Sequence, residues 1–310
     1  MAMNKRNCRI LVAGSINIDL LMRVDRYPND GENLIGRDYR LLPGGKGANQ
    51  AIAARLFGAD VDFIGKTGRD AYGELLRHEL ERKGIGTDRL FTDESAPTGL
   101  AAITIDGGGE NRIVVYPGAN MSLCCEDVRH AFLEPYDALL VQFEIPQETV
   151  VHLCRDAKKH GVFTVVDAGP AQAFPLESLD GIDVLSPNQT EARALTGITI
   201  ESESDMHSAA KMLQDRSGAA WVVLKLGKQG SFVYAKGKGR LCKAFEVDAV
   251  DPTAAGDAFT AVLTAKYLEC KDMDEAVNFG NLAGAIAASR IGAQSSMPSR
   301  TEIEEFRAAR

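Results

Sequence analysis

The sequence predicts an α/β protein: a three-layer domain around a mostly parallel sheet, with a small antiparallel β lid beside it. Three observations carry this. From about residue 121, short apolar runs alternate with amphipathic stretches, the pattern of a sheet covered on both faces. Residues 98–116 read instead as a β-hairpin with a glycine loop, which has no place among parallel βαβ units. Two turns of small residues, at 43–50 and 252–257, each deliver polar side chains to a helix start. The large domain is expected to comprise residues 8–16, 44–96 and 120–310, and the lid residues 17–43 and 97–119.

The bulk numbers narrow the function. A chain of 310 residues, 45% hydrophobic and 25% charged, has ample material for a core. A net charge of −8 without a basic stripe argues against a nucleic-acid partner. The six cysteines (Cys8, Cys124, Cys125, Cys154, Cys242 and Cys270) are scattered without a C-x-x-C pair, which fits reduced thiols better than a disulfide framework or a zinc site. The five histidines form no metal-binding pattern. No run approaches the ~18 apolar residues of a membrane span, and Ile10–Ala13 is too short for a secretory leader, so the expected location is the cytoplasm.

In chain order, Arg9 to Gly14 is a first buried strand. Asn17 and Asp19 then alternate with Ile16, Ile18 and Leu20, which places both polar side chains on one face of an extended segment. Such a pair suits a polyol, and equally the wet face of a half-exposed strand. Residues 21–43 read as irregular extended chain with a turn at Pro28–Gly31. Pro43-Gly44-Gly45-Lys46-Gly47-Ala48-Asn49-Gln50 is a glycine turn that brings Lys46 and Asn49 to a helix start. It is no Walker A loop, because Gly47 follows the lysine. A strand Val61–Ile64 follows, then an amphipathic helix Asp70–Lys83 with Leu75, Leu76 and Leu80 on one side and Gly84 ending it.

The hairpin, Thr98–Ile105 and Arg112–Tyr116, is expected to pair with the 17–42 region. Its apolar residues, with Ile16, Ile18 and Leu20, would leave an exposed sheet face. Strands follow at Ala138–Phe143, Val162–Asp167, Ile182–Leu185 and Trp221–Leu226, with helices at 147–160, 190–195 and 204–216. Ligands of such sheets bind beyond the carboxyl ends of the strands, where Glu144, Asp167, Asn188, Glu191, Lys225, Gly227 and Gly230 stand. Helices at 273–289 and at 301–309, the latter capped by Thr301, complete the chain.

The stretch Val247–Leu263 organises the rest. It opens as a β-like run, tightens through Pro252, Thr253, Ala254, Ala255 and Gly256, and begins a helix at Asp257. Unpaired N–H groups and the positive dipole end favour an anion there, and small residues let a phosphate approach. A carboxylate beside that hole is placed to take a proton from an attacking hydroxyl. Read alone, the stretch equally fits a Pro-Gly turn with Asp257 as an N-cap.

Three elements together are more specific. Gly44–Gln50 with Gly58 and Gly68 downstream, Pro187-Asn188-Gln-Thr-Glu191, and Asp251-Pro-Thr-Ala-Ala-Gly-Asp257 resemble, in order and spacing, the signatures of the ribokinase family of carbohydrate kinases, over nearly the whole chain. The resemblance implies ATP-dependent phosphorylation of a sugar's primary hydroxyl. D-ribose at its 5-hydroxyl is the leading acceptor. Deoxyribose, fructose or adenosine are the alternatives, with a catalytically silent sugar sensor beyond them. By position it implies Asp257 as base and Ala254, Ala255 and Gly256 as backbone donors to the phosphoryl group. Asn17, Asp19, Gly45, Lys46, Asn49 and Glu144 become sugar contacts, and Asn188, Lys225, Gly227, Gly230, Gly256 and Asn281 nucleotide contacts. Glu191 is implied near Mg2+. A potassium site is implied at Asp251, Thr253, Ala287, Arg290, Gly292 and Ser296, and a homodimer through the lids.

Three positions depart from the family pattern. Asp167-Ala168-Gly169-Pro170 stands where Asn-Pro-Ala-Pro is frequent, Lys225 replaces a hydroxyl residue, and Val262 stands where a smaller residue is usual.

Overall fold

In a computed structural model, which describes residues 7–132 and 135–309, the chain forms two sheets. β1 (Arg9–Ala13) leads into β2 (Asn17–Arg23), and β3 (Asp38–Gly44) runs back into α1 (Lys46–Phe57). β4 (Asp60–Gly68), α2 (Ala71–Arg82) and β5 (Gly86–Asp93) precede the hairpin β6 (Gly99–Ile105) and β7 (Asn111–Tyr116), and a single turn, α3 (Cys125–Val128), follows. The alternating half is β8 (Ala138–Gln142), α4 (Gln147–Lys159), β9 (Phe163–Asp167), β10 (Val184–Ser186), α5 (Gln189–Thr196), α6 (Glu203–Ser217) and β11 (Trp221–Lys225). A second hairpin, β12 (Ser231–Ala235) and β13 (Lys238–Cys242), precedes α7 (Ala255–Cys270), α8 (Met273–Ala288) and α9 (Arg300–Ala308).

The large sheet has the order β13-β12-β11-β10-β9-β8-β1-β4-β5, parallel except for the β12 and β13 edge. Its central strands β1, β8, β9, β10 and β11 are buried on both faces, which is why they are nearly continuous apolar runs. Successive residues of β1 show the consequence: Ile10 and Val12 pack with α1, α7 and α8, while Leu11 and Ala13 pack with α4 on the other side. The remaining departure, Val262, is a buried core residue of α7. All six cysteines are free thiols.

The small sheet has the order β3-β2-β6-β7. It is mixed, not purely antiparallel: β2 pairs with β6 in parallel, and only the outer pairs are antiparallel. β2 follows directly on β1, so the chain passes from one sheet to the other within Gly14–Ile16.

Several expectations need correction. Residues 38–44 form a strand, held by pairing to β2 across Asn17↔Gly44 to Arg23↔Asp38, where an irregular segment was expected. Strands β5, β12 and β13 were not foreseen. Residues 247–250 form no strand, and no partner strand reaches them. Leu75 is 45% exposed; Leu76 and Leu80 alone carry the buried face of α2. Ser299, not Thr301, caps α9, in a reciprocal pair with Glu302. Ile16 and Ile18 are core residues, so the exposed apolar face of the small sheet belongs instead to Leu41, Val114 and Tyr116 with their neighbours. Residue 310, the expected end of the large domain, lies outside the described residues.

Asp70 joins the two sheets. Its Oδ1 accepts from Gly73 N (2.9 Å) to cap α2 and from Thr98 Oγ1 (2.7 Å), and its Oδ2 accepts from Thr98 N (2.8 Å) at the entry to β6. These bonds hold its carboxyl below the usual range, although burial works in the other direction. Asp70→Ala should therefore cost about 1–2 kcal/mol or more in urea denaturation, the upper end of a lost cap, because two loop contacts go with it.

Candidate active site

Asp257 is not an N-cap. The cap of α7 is Ala254, whose side chain makes no bond, and Asp257 lies three residues further along, in the first turn. Its carboxylate turns away from its own helix. Oδ2 accepts from Asn49 Nδ2 (2.9 Å) and Oδ1 from Gln50 Nε2 (3.0 Å), both on α1. The first-turn N–H groups of Gly256 and Asp257 have no acceptor within the helix, while that of Ala255 reaches Pro252 O (3.2 Å). The helix end therefore presents amides and a carboxylate side by side.

Two close approaches put α1 in range. Gly45, with φ +92°, caps the helix where a Cβ would lie 2.7 Å from Ile16 Cα; a Cβ on Gly47 would lie 2.7 Å from Gly14 C. Only glycine allows α1 to start this close to the β1–β2 junction. The same closeness sets Lys46, the first residue of α1, among acidic groups. Burial opposes its charge, yet Asp257, Asp167, Glu144 and Glu191 hold its ammonium above the ordinary lysine range.

Asn17, Asp19, Asn49 and Glu144 converge on the same space from β2, α1 and the end of β8. Asn17 Oδ1 accepts from Asn120 Nδ2 (2.7 Å), and Asn120 is itself fixed by Ile16 N (2.9 Å) and Pro117 O (2.9 Å). Glu144 accepts from Ser15 Oγ. Asn49 Oδ1 is buried and has no partner in the protein, so this part of the space offers an unmet acceptor beside the Asp257 carboxylate. Asp19 is pushed up to about 7 by burial and by Glu144 and Asp257. Asp257 is pushed up to about 6, by burial and by Asp167, against Lys46 and its two amide donors.

The opposite side of the cluster is built on β9, β10 and β11. Asn188 caps α5 reciprocally with Glu191: Glu191 N donates to Asn188 Oδ1 (2.8 Å) and Asn188 N to Glu191 Oε2 (2.7 Å). Burial raises the Glu191 carboxyl. Lys225 ends β11 in an ion pair with Asp167 (2.8 Å), 11% and 1% exposed respectively. Thus two of the departures from the family pattern meet as one charge pair. Gly227 and Gly230, both at positive φ, turn the chain into β12. Asn281 stands apart on α8, its Nδ2 donating to Ser231 Oγ (3.1 Å).

The cation candidates join two loops. Asp251 accepts from Thr253 N (3.0 Å) with one oxygen and from Gly292 N (3.0 Å) with the other, and its N–H donates to Ala288 O (3.0 Å). Ser296 Oγ donates to Ala293 O (2.8 Å). Arg290 pairs through its side chain with Glu302 (2.6 Å). No group of three or more His, Cys, Asp or Glu is arranged for a metal among the described residues.

Sequence reasoning missed Gln50, Gln142, Ser15 and Asn120. Gln50 follows Asn49 in the glycine-turn stretch, and the others announce themselves only through contacts about 90 to 130 residues away.

Asp257 carries a stability cost. Its proton is held more tightly in the folded protein than in the unfolded chain, so the stability it contributes is present below pH ~4 and is lost as pH rises through about 6. Above that, keeping it ionised costs about 3 kcal/mol at 1.36 kcal/mol per unit. Asp257→Asn should accordingly be more stable than the wild type at pH 8, by about 1–3 kcal/mol in urea denaturation, and no more stable at pH 4. An equal change at both pH values would contradict this origin.

Known proteins are similar to this chain in sequence and fold. A family model described as pfkB family carbohydrate kinase matches residues 8–300. The chain is 42% identical over 299 residues to a ribokinase of Haemophilus influenzae, covering 96% of this chain and 97% of that one. It is 36% identical over 301 residues to a ribokinase of Staphylococcus aureus, covering 96% and 99%. The structure of Arabidopsis thaliana ribokinase complexed with ribose and ATP superposes with a TM-score of 0.88 at 32% identity, covering 97% of this chain and 98% of that one. The chain belongs to the pfkB family of carbohydrate kinases.

Proposed function

We propose that the protein transfers the γ-phosphoryl group of ATP to the 5-hydroxyl of D-ribose. The observation that carries this is the Asp257 carboxylate, buried in the first turn of α7, turned out of its helix and beside an unmet Asn49 acceptor. A base poised near pH 6 is ionised at neutral pH yet retains proton affinity for an attacking hydroxyl. The backbone amides of Gly256 and Asp257, unlike that of Ala255, which Pro252 O occupies, are oriented before reaction, so charge spreading over a phosphoryl group meets dipoles that need not reorganise.

Asn17, Asp19, Asn49 and Glu144, with Lys46 and the Gly45 backbone, hold the acceptor. Carboxylates and amides grip neighbouring hydroxyls in pairs, which fits a small polyol. Kinship with ribokinases along nearly the full chain favours ribose. Asn188, Lys225, Gly227 and Gly230 form the nucleotide side, and Asn281 stands further off on α8, bonded to Ser231 at the start of β12. Glu191, a hard oxygen donor at a helix start facing the cluster, fits Mg2+ with its waters, which would neutralise phosphate charge. The donor set of Asp251 and Ser296 with the carbonyls of Thr253, Ala287, Arg290 and Gly292 is all oxygen with one full charge, which fits a weakly held monovalent cation such as K+. A cation there would brace the loop that leads into α7.

The sheet of β2, β3, β6 and β7 serves as a lid on the acceptor and as a dimer surface. Its outer row, Leu41, Leu20, Ala102 and Val114, is apolar, and Val114 is 73% exposed. Two copies covering that face would remove it from water.

Coupled-assay turnover with ribose, deoxyribose, fructose and adenosine tests the reading. It should be highest on ribose, higher in K+ than in Na+, and lowered at least about 10³-fold by Asp257→Ala. Fastest turnover on another acceptor would refute ribose as substrate. Sedimentation equilibrium should show a dimer that Val114→Asp converts to a monomer with its fold intact; a monomeric wild type would refute the dimer.

A further inference from the structure

We propose that Asp167 is a positioning residue for phosphoryl transfer: it holds the Lys225 ammonium beside the first turn of α7 and, through the Gln50 amide, holds the Asp257 carboxylate toward the acceptor. The proposal rests on the kinase reading above.

Asp167 Oδ2 accepts from Lys225 Nζ (2.8 Å), Thr260 Oγ1 (2.9 Å) and Gln50 Nε2 (3.1 Å), and Oδ1 accepts from Gly169 N (3.2 Å). Four donors, three of them from β11, α7 and α1 and one from the loop just after β9, leave this carboxylate one orientation. The Gln50 Nε2 that meets Asp167 also donates to Asp257 Oδ1 (3.0 Å). Gln50 cannot turn over, because its Oε1 would then face the carboxylate oxygens of Asp167 and Asp257, which only accept; as it stands, Oε1 accepts from Gln142 Nε2 (2.6 Å). All three side chains, Gln50, Gln142 and Asp167, are buried. On the other side, Lys225 Nζ lies 3.6 Å from where a Cβ on Gly256 would stand. Its ammonium is therefore at the mouth of the anion-binding turn. The cation that would meet a phosphate and the base that would meet a hydroxyl both take their position from one carboxylate. Asp167 itself neither touches the reacting atoms nor moves a proton.

A structural prop and a positioning residue differ in what they do to the base. The charges around Asp257 are Lys46 from α1, Asp19 from β2 and Asp167 from β9. Asp167→Asn removes a like charge and so makes Asp257 easier to ionise. Gln50→Met removes a donor to the ionised form and makes it harder to ionise. The two variants therefore move the base in opposite directions.

The experiment measures kcat, KM for ATP, KM for the sugar and the pH profile of kcat. It compares wild type with Asp167→Asn, Gln50→Met, Lys225→Thr and the double variant Asp167→Asn/Lys225→Thr. Asp167→Asn should raise KM for ATP roughly tenfold and move the acid limb down by about one unit, while Gln50→Met moves it up. The double variant, a neutral pair, should regain at least about tenfold of the kcat/KM lost by the worse single variant. Acid limbs moving the same way, or single losses that multiply in the double variant, would overturn the proposal. Should Asp167→Asn fail to fold, an unmoved limb in Gln50→Met would overturn it alone. A wild type without turnover on any sugar would overturn the kinase reading and this proposal together; an active wild type with unaffected variants would overturn this proposal only.

Discussion

The structure depends on keeping a group of carboxylates close together without neutralising them all. Asp19, Glu144, Asp167, Glu191 and Asp257 face one space, with the ammonium groups of Lys46 and Lys225 among them. Like charges at such distances raise one another's proton affinity, and burial does the same. The fold answers with directed donors: Asn49 and Gln50 on Asp257, Thr260 and Lys225 on Asp167, Ser15 on Glu144 and the start of α5 on Glu191. The donors come from α1, α7, β11, the β1–β2 junction and the start of α5. The packing of α1 against α7 and against the sheet is thus tied to the charge state of the cluster. Hydrophobic contacts fill the two layers, but the polar contacts decide how these helices register.

The parts of this arrangement carried by short stretches of chain were legible in the sequence. The glycine turn before α1 and the small-residue turn before α7 each contain their own geometry: a helix start, a close approach and a polar side chain. The buried parallel strands are equally readable as apolar runs. What failed was structure that owes its form to a partner. β3, with Arg40 and Pro43, has no strand-like alternation and extends only because β2 pairs with it. The parallel β2–β6 pair depends on a crossover that a local pattern does not contain. Asn120 reaches Asn17, and Gln142 reaches Gln50, across about a hundred residues; nothing near either position in the chain marks it as part of a site.

Asp167 and Lys225 show the same limit in another form. Read one at a time, the first adds an unexplained negative charge and the second replaces a hydroxyl. In the structure they are one buried ion pair, and each is intelligible only through the other. Removing one partner of such a pair strands a charge and costs about 3–5 kcal/mol, whereas exchanging both for neutral groups costs little. Substitutions at these positions are therefore expected to come in pairs.

The origin of the site residues divides the chemistry. The proposed base, the helix-end amides, Lys46, Asn49, Glu144 and the proposed nucleotide-side residues stand on the large sheet, the helices packed on it or the loops that join them. Asn17 and Asp19 alone come from the small sheet, one and three residues beyond the junction at Gly14–Ile16. Asn17 is tied through Asn120 to the turn that follows β7, and the Asp19 carboxylate lies over Gly44 at the end of β3, where only a residue without a Cβ leaves it room. A shift of the small sheet would change the grip on the acceptor while leaving Asp257 and the anion-binding turn where they are. On the function proposed above, selectivity among acceptors and competence in phosphoryl transfer would then be separable properties of this chain. The first is set by how β2 lies over α1, the second by how α7 meets the end of the large sheet.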